Sequence, residues 1–246
     1  MILLGIDTAT STGGVGIVRA GDGESRILAD DSRVAGRTHG AMILEQMDAA
    51  LATAELELSE VDVFAVANGP GSFTGLRVGM ATAKSLAWAC GRPLIGVPTL
   101  EAWAGRAISI DDTAAAGADQ VIGVVLDARK GEVYRAAFAS DPGASQLRRI
   151  LPEAVVAPEA CADSLLSLVG AGSTVRLLGD GPARYTEAFS SLASLKQVPM
   201  DTLPPSGGAV ASLAASRALA GDFDDPRRLA PLYVRASEAE LSLAKR

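Results

Sequence analysis

The chain opens on a regular exchange of apolar runs and turn-type segments. "ILLGID" is a short apolar run, "TATSTGG" a hydroxyl- and glycine-rich turn, "VGIVRA" a second β-rich run, and a third extended run lies near "RILADDS". Three early strands joined by short loops predict an antiparallel meander. From Thr38 the period changes. Met42, Ile43, Met47, Ala50, Leu51 and Ala54 recur at the i, i+3, i+4 spacing of one helix face, which predicts a helix over about 39–54. A buried strand "VFAVAN" follows, then the glycine-rich loop "GPGSFTG", a second helix from about Leu76 to Cys90, a strand "RPLIGVP" and a helix "TLEAWAGRAI".

The segment Asp111–Asp119 is polar, small and without pattern, so it predicts a connection between two units, 1–110 and 111–246. In the second unit "VIGVVLDARKGEVYRAAFA" reads as a hairpin turning at Arg129-Lys130-Gly131. A helix near 158–168, a strand "TVRLLGDG", a short helix near 182–190, a helix from Ser206 to Ala220, a Pro-marked strand or loop and a polar tail complete it. The last helix is one that could pack back on the first unit. The order β-β-β-α-β-α-β in the first unit predicts a mixed sheet flanked by helices, similar to the ribonuclease-H-like core in each lobe of the actin, Hsp70 and sugar-kinase group. The predicted fold class is therefore α/β, a two-lobed actin-like ATPase fold.

The second helix carries Arg77 and Lys84 and is otherwise almost wholly apolar or small. A helix apolar on two sides is covered on two sides. One face suits its own sheet, and the other suits its own chain or another protein, whose backbone Gly79, Ala81, Ala83, Ala87 and Ala89 would let approach closely.

Composition narrows the function classes. With 246 residues, 48% of them hydrophobic, the chain has ample core material, and its 4% aromatic share beside 26 glycines points to close backbone packing. A formal charge of −7 is opposite to the footprint of an autonomous nucleic-acid binder. The adjacent basic residues Arg129-Lys130, Arg148-Arg149, Arg227-Arg228 and Lys245-Arg246 read as solvated surface charges. Cys90 and Cys161 form neither a CxxC nor a small-domain disulfide framework, which suggests a reduced, cytoplasmic setting. The first residues lack an export signal, and no stretch approaches the roughly 18 apolar residues of a membrane helix.

Few residues offer chemistry. Asp7, Thr8 and Ser11 lie in a turn of the kind that wraps phosphate, although the same residue types build ordinary turns. The triplet Gly179-Asp180-Gly181 is a weak remnant of an adenosine loop, and Asp127 and Glu132 read as parts of a solvated hairpin turn. His39 is the only histidine, so no imidazole pair or protease-like constellation can form within the chain. In "NGPGSFTGLRVG", Pro70 between Gly69 and Gly71 fixes a sharp loop, and Ser72 or Thr74 can cap the next helix.

This string, with "LGIDTATSTGGVGIV", "LDARKGEVY" and "PLYVR", closely resembles the TsaB (YeaZ) family from Met1 to about Ala236. The resemblance implies a non-catalytic subunit for threonylcarbamoyladenosine formation beside the tRNA anticodon. It implies binding and activation of the catalytic paralogue TsaD, the ATPase TsaE as a third component, and a homodimer when alone. Contact with tRNA comes only through the complex, no cofactor belongs to the chain itself, and ATP or ADP enters only within the assembly. The catalytic paralogue's HxxxH metal pair falls here at Thr99 and Trp103, neither of which replaces an imidazole. The partner surface implied by the resemblance runs along the first two helices and the intervening loop: His39, Ile43, Met47, Leu51, Gly69, Pro70, Gly71, Ser72, Phe73, Thr74, Arg77, Met80, Lys84 and Ala87. The alternative is a stand-alone actin-like ATPase or small-molecule kinase using Asp7, Thr8, Ser11 and the 179–181 loop.

Overall fold

In a computed structural model, residues 1–21, 24–34, 39–110, 120–140, 147–168, 174–192, 196–198 and 206–234 are described. Strands β1 (Ile2–Asp7), β2 (Thr12–Gly21) and β3 (Glu24–Val34) form the meander, followed by helix α1 (His39–Ala54), β4 (Val63–Gly69), α2 (Phe73–Cys90), β5 (Leu94–Pro98) and α3 (Thr99–Ile110). The second half runs β6 (Gln120–Arg129), β7 (Glu132–Ser140), β8 (Leu147–Val156), α4 (Pro158–Leu166), β9 (Thr174–Leu178), the single turn α5 (Gly181–Arg184), β10 (Lys196–Val198) and α6 (Gly207–Leu219).

The first sheet has the order β3-β2-β1-β4-β5 and the second β10-β9-β6-β7-β8. In each, the first three strands are antiparallel and the last two join the first in parallel. The two sheets are one topology used twice, the ribonuclease-H-like arrangement of the two-lobed actin-like fold.

The first sheet is covered on both faces, which is why its strands read as nearly continuous apolar runs. Leu4, Ile6, Val15, Phe64 and Val66 point to α1 and α2. On the opposite face Leu3, Val18, Val63, Ala65 and Ala67 meet Val210, Ala211, Ala214 and Ala218 of α6. Helix α3 follows the first sheet in sequence, but its Leu100, Trp103, Ala104 and Ala107 pack on Ile122, Val124, Leu126 and Phe138 of the second. Cys161, Leu165, Phe189 and Leu192 cover that sheet's far side. Each sheet thus borrows a helix from the other half of the chain. The seam is tied by Arg149 to Glu101 at 2.8 Å and by Arg176 donating to the Ala107 carbonyl at 3.1 Å.

Helix α6 reaches its sheet through glycine on glycine. Gly5 and Gly16 are cross-strand partners, and an added Cβ on Gly5 would lie 2.0 Å from the Gly207 carbonyl oxygen, one on Gly16 2.1 Å from the Gly208 nitrogen. Asp30 of β3 fixes the helix end there, accepting from the Ser206 hydroxyl, from the Gly208 N–H at 3.1 Å and from Arg106 of α3. A carboxylate at a helix N-terminus also opposes the positive end of the helix dipole.

Several elements differ from the sequence reading. Helix α2 begins at Phe73, three residues early, because Ser72 is its N-cap and accepts from the Gly75 N–H at 3.3 Å. Strands β8 and β10 were not legible: β8 contains Pro152 and an irregular register against β7, and β10 is three residues long. Asp127 is no solvated turn residue. Its side chain is 3% exposed, with Arg184 at 3.0 Å and the Tyr185 hydroxyl donating at 2.8 Å. Arg149 likewise is engaged with Glu101, while Arg227 and Arg228 are exposed. The connection Asp111–Asp119 and the tail from Arg235, with Lys245-Arg246, lie outside the described residues.

Gly16→Ala is expected to push α6 from the sheet at a cost of about 3 kcal/mol or more, seen as a fall in Tm of roughly 6–12 °C for a chain of this size. Gly21→Ala, with nothing within 4 Å of the new Cβ, is the control and should leave the melting curve in place.

A closed turn and a candidate docking face

The turn after β1 is packed from above by α2. Gly71, Gly75 and Gly79 recur every fourth residue, and a Cβ on Gly75 or Gly79 would lie 2.0 Å from the Thr8 carbonyl oxygen or 2.2 Å from the Thr8 hydroxyl oxygen. That hydroxyl donates to the Gly75 carbonyl at 2.8 Å, and the Ser72 N–H donates to the Ala9 carbonyl at 2.6 Å. Asp7 and Thr8 are fully buried, and Ser11 is exposed. The three phosphate-turn candidates are therefore not brought together as one open cradle: the polar groups of Thr8 and of the Ser72 backbone bond to each other's loops.

Asp7 stands out electrostatically. Burial pushes its carboxyl up to about 6, with the Ala9 N–H, donated to Oδ1 at 2.9 Å, and the Trp103 indole acting against that rise. The nearby Asp30 charge adds to it and Arg106 offsets it. The indole does not reach hydrogen-bonding geometry, so Asp7 Oδ2 and Trp103 Nε1 have no hydrogen-bond partner among the described residues. Thr99 is buried, and its hydroxyl accepts the Gly69 N–H at 3.0 Å. Thr99 and Trp103 thus serve the loop and the seam between lobes. Among the described residues no group of three or more His, Cys, Asp or Glu is placed to hold a metal ion.

The residues assigned to the partner surface divide in two. Ile43, Met47, Leu51, Met80 and Ala87 are buried in the first lobe's own core, with Ile43 at 0% exposure, so their side chains are spent inside the chain. Ala83 and Gly79, read as sites of close partner approach, are buried too. Gly69 and Pro70 are buried and Gly71 is half-buried against Ala9. Ser72, Phe73, Thr74 and Arg77 are exposed, and half-buried Lys84 donates to the Leu229 carbonyl at 2.6 Å. His39 is the first residue of α1, and its side chain lies outside the described residues.

The accessible stripe of α2 is Thr74, Arg77, Ala81, Ser85 and Trp88. Trp88 is 86% exposed, and Leu44 of α1 is exposed as well. Trp88 and Leu44 were missed as candidates, although the helical spacing of 81, 85 and 88, opposite the buried 76, 80, 83 and 87, carries the signal. An indole left in water beside small residues makes this stripe the candidate contact surface of the first lobe.

The model of the family described as TsaD, tRNA N6-adenosine threonylcarbamoyltransferase, matches residues 32–167. The tRNA threonylcarbamoyladenosine biosynthesis protein TsaB of Haemophilus influenzae is 36% identical over 171 residues, 67% of this chain and 68% of that protein. The chain belongs to the TsaB family. The Bacillus subtilis TsaB is 26% identical over 98% of this chain and 96% of its own length. The fold is that of YeaZ from Pseudomonas aeruginosa, with a TM-score of 0.71 at 24% identity over 94% of this chain and 99% of that one. This TsaB-family chain is a protein of tRNA threonylcarbamoyladenosine biosynthesis. Among the described residues no helix is long and apolar enough to cross a membrane.

The raised Asp7 carboxyl sets a pH dependence of stability. Between about pH 4 and 6 the unfolded chain has lost this proton and the folded chain has kept it, so stability falls as pH rises and the loss is complete above 6. Asp7→Asn keeps the acceptor for the Ala9 N–H and removes the charge. Relative to the parent chain it should gain about 2–3 kcal/mol between pH 4 and pH 7.5, read from urea unfolding at the two pH values.

Proposed function

We propose that the chain performs no chemistry of its own and acts as the docking and activating subunit of the catalytic paralogue TsaD, with TsaE joining the pair. The modified position would be the adenosine beside the tRNA anticodon, contacted by this chain only through the complex. In this reading the chain holds no cofactor, ATP or ADP enters only in the assembly, and the same helical face forms a homodimer when TsaD is absent. The observation that carries the reading is the α2 stripe: a helix whose inner face already completes its lobe's core still presents Ala81, Ser85 and a bare Trp88 outward. Small residues let another backbone come close, and a large indole supplies an anchor. The commitment of the Thr8 hydroxyl to Gly75 supports a cleft turn used for packing.

The test is to mix the pure chain with TsaD of the same organism and measure complex size and affinity. Ala81→Arg should weaken the complex by roughly 100-fold or more, because a charge is then buried unpaired in the interface, while the melting temperature stays unchanged. Ala83→Arg should instead unfold the chain, since Ala83 is internal. The chain alone should give no product from threonylcarbamoyl-adenylate and tRNA. Product from that solitary preparation would overturn this reading, and ATP turnover by the pure chain that Asp7→Ala abolishes would replace it by the stand-alone ATPase or kinase.

A further inference from the structure

Residues Leu229–Val234 have no regular secondary structure, yet they run as a strap along the N-terminal part of α2. Asp224 pairs with Leu94 at the edge of β5, which brings the chain onto the first lobe. Beyond it Lys84 Nζ holds the Leu229 carbonyl at 2.6 Å, and the Leu232 N–H donates to the Asn68 carbonyl at 2.6 Å. Gly69, at φ 120°, leaves room for the strap: a Cβ there would sit 2.6 Å from the Leu232 carbonyl oxygen. The strap delivers Tyr233 to Phe73, ring centroids 5.2 Å apart.

Arg77 is fixed by both rings. Its guanidinium carbon lies 3.8 Å from the Phe73 ring centroid, and its Nε donates to the Tyr233 hydroxyl at 3.1 Å. The two terminal nitrogens make no hydrogen bond or ion pair among the described residues, and the side chain is exposed. A guanidinium normally surrenders rotamer freedom when it binds; this one is oriented beforehand. Its planar fork matches a carboxylate through two parallel N–H···O bonds.

We propose that Arg77, Phe73 and Tyr233 form a preformed carboxylate-recognition site at one end of the docking face, which takes an Asp or Glu side chain of the partner protein. The proposal rests on the reading that a protein covers the α2 stripe. A protein carboxylate fits better than an RNA phosphate. The guanidinium sits among exposed apolar groups, with Phe73 at 44%, Tyr233 at 43% and Leu232 at 41% exposure, which a protein interface would desolvate, and the whole chain carries −7. Charge complementarity supplies orientation, and the C-terminal strap becomes part of the docking surface even though it is remote in sequence from both helices.

The test uses the full chain and its TsaD. Arg77→Ala and Arg77→Lys should each weaken the complex by roughly 30-fold or more, mostly through faster dissociation; the lysine keeps the charge but loses the fork and the Nε bond. Tyr233→Phe, which removes only the hydroxyl that orients Arg77, should weaken it by about threefold to tenfold with an unchanged melting curve. One Asp or Glu of TsaD, changed to Asn or Gln, should reproduce the Arg77→Ala loss and add nothing to it in the double variant. If wild type binds TsaD and all three variants bind as tightly, the carboxylate site is wrong and the docking reading stands. If the variants assemble normally but the complex releases tRNA, the fork serves RNA and the proposal is overturned. If wild type itself forms no complex, the docking reading fails at its base.

Discussion

Where the start of α6 crosses β1 and β2, backbone meets backbone with no side chain between them. Gly5 and Gly16 leave the hollow, and Gly207 and Gly208 fill it. The rest of the architecture depends on this contact, because it lets a helix from the far end of the chain serve as one wall of the first sheet. Alanines at 211, 214 and 218 continue the close approach. Asp30 then locks the geometry, binding the helix end and Arg106 of α3 at once. Dispersion gains from such contact are small per atom pair and add up only when the surfaces conform.

The same economy of side-chain volume governs α2. Its glycines at 75 and 79, with Gly71 just before it, lie on the turn after β1, and its buried Leu76, Met80, Ala83 and Ala87 face inward. Two sides of the helix are thus committed within the chain. What is left outward is a narrow stripe of small residues with Trp88 toward one end and the Phe73–Arg77–Tyr233 cluster toward the other. The buried Asp7, one of whose oxygens has no hydrogen-bond partner among the described residues, is a costly feature that packing does not explain.

The two halves share a topology but not an electrostatic design. Asp7 ends β1 and stays raised because burial outweighs the Ala9 N–H, the Trp103 indole and Arg106. Asp127, in the corresponding part of the second sheet, is surrounded by Arg129, Arg184 and Tyr185. Cations and a hydroxyl in contact offset the cost of burying a carboxylate, whereas burial that is not offset holds its pKa up and weakens the fold once the group ionises.

Local sequence determined most of the first lobe. The strands β1, β2, β4 and β5 and the helix α1 follow from runs and periods that any segment carries by itself, and the lone His39 with Thr99 and Trp103 ruled out an imidazole pair without reference to a fold. The string around Gly69–Thr74 carried the family. Tertiary structure decided the remainder. Periodicity marks apolar faces but not what covers them, so Ile43, Met47 and Ala87 could not be told from partner-facing residues until the core was in place. The Asp127 carboxylate read as solvated because Arg184 and Tyr185 lie more than fifty residues away in the chain. The strap reached Arg77 from 156 residues downstream. Contacts of that range depend on where the sheets set the chain ends, and no local pattern encodes them.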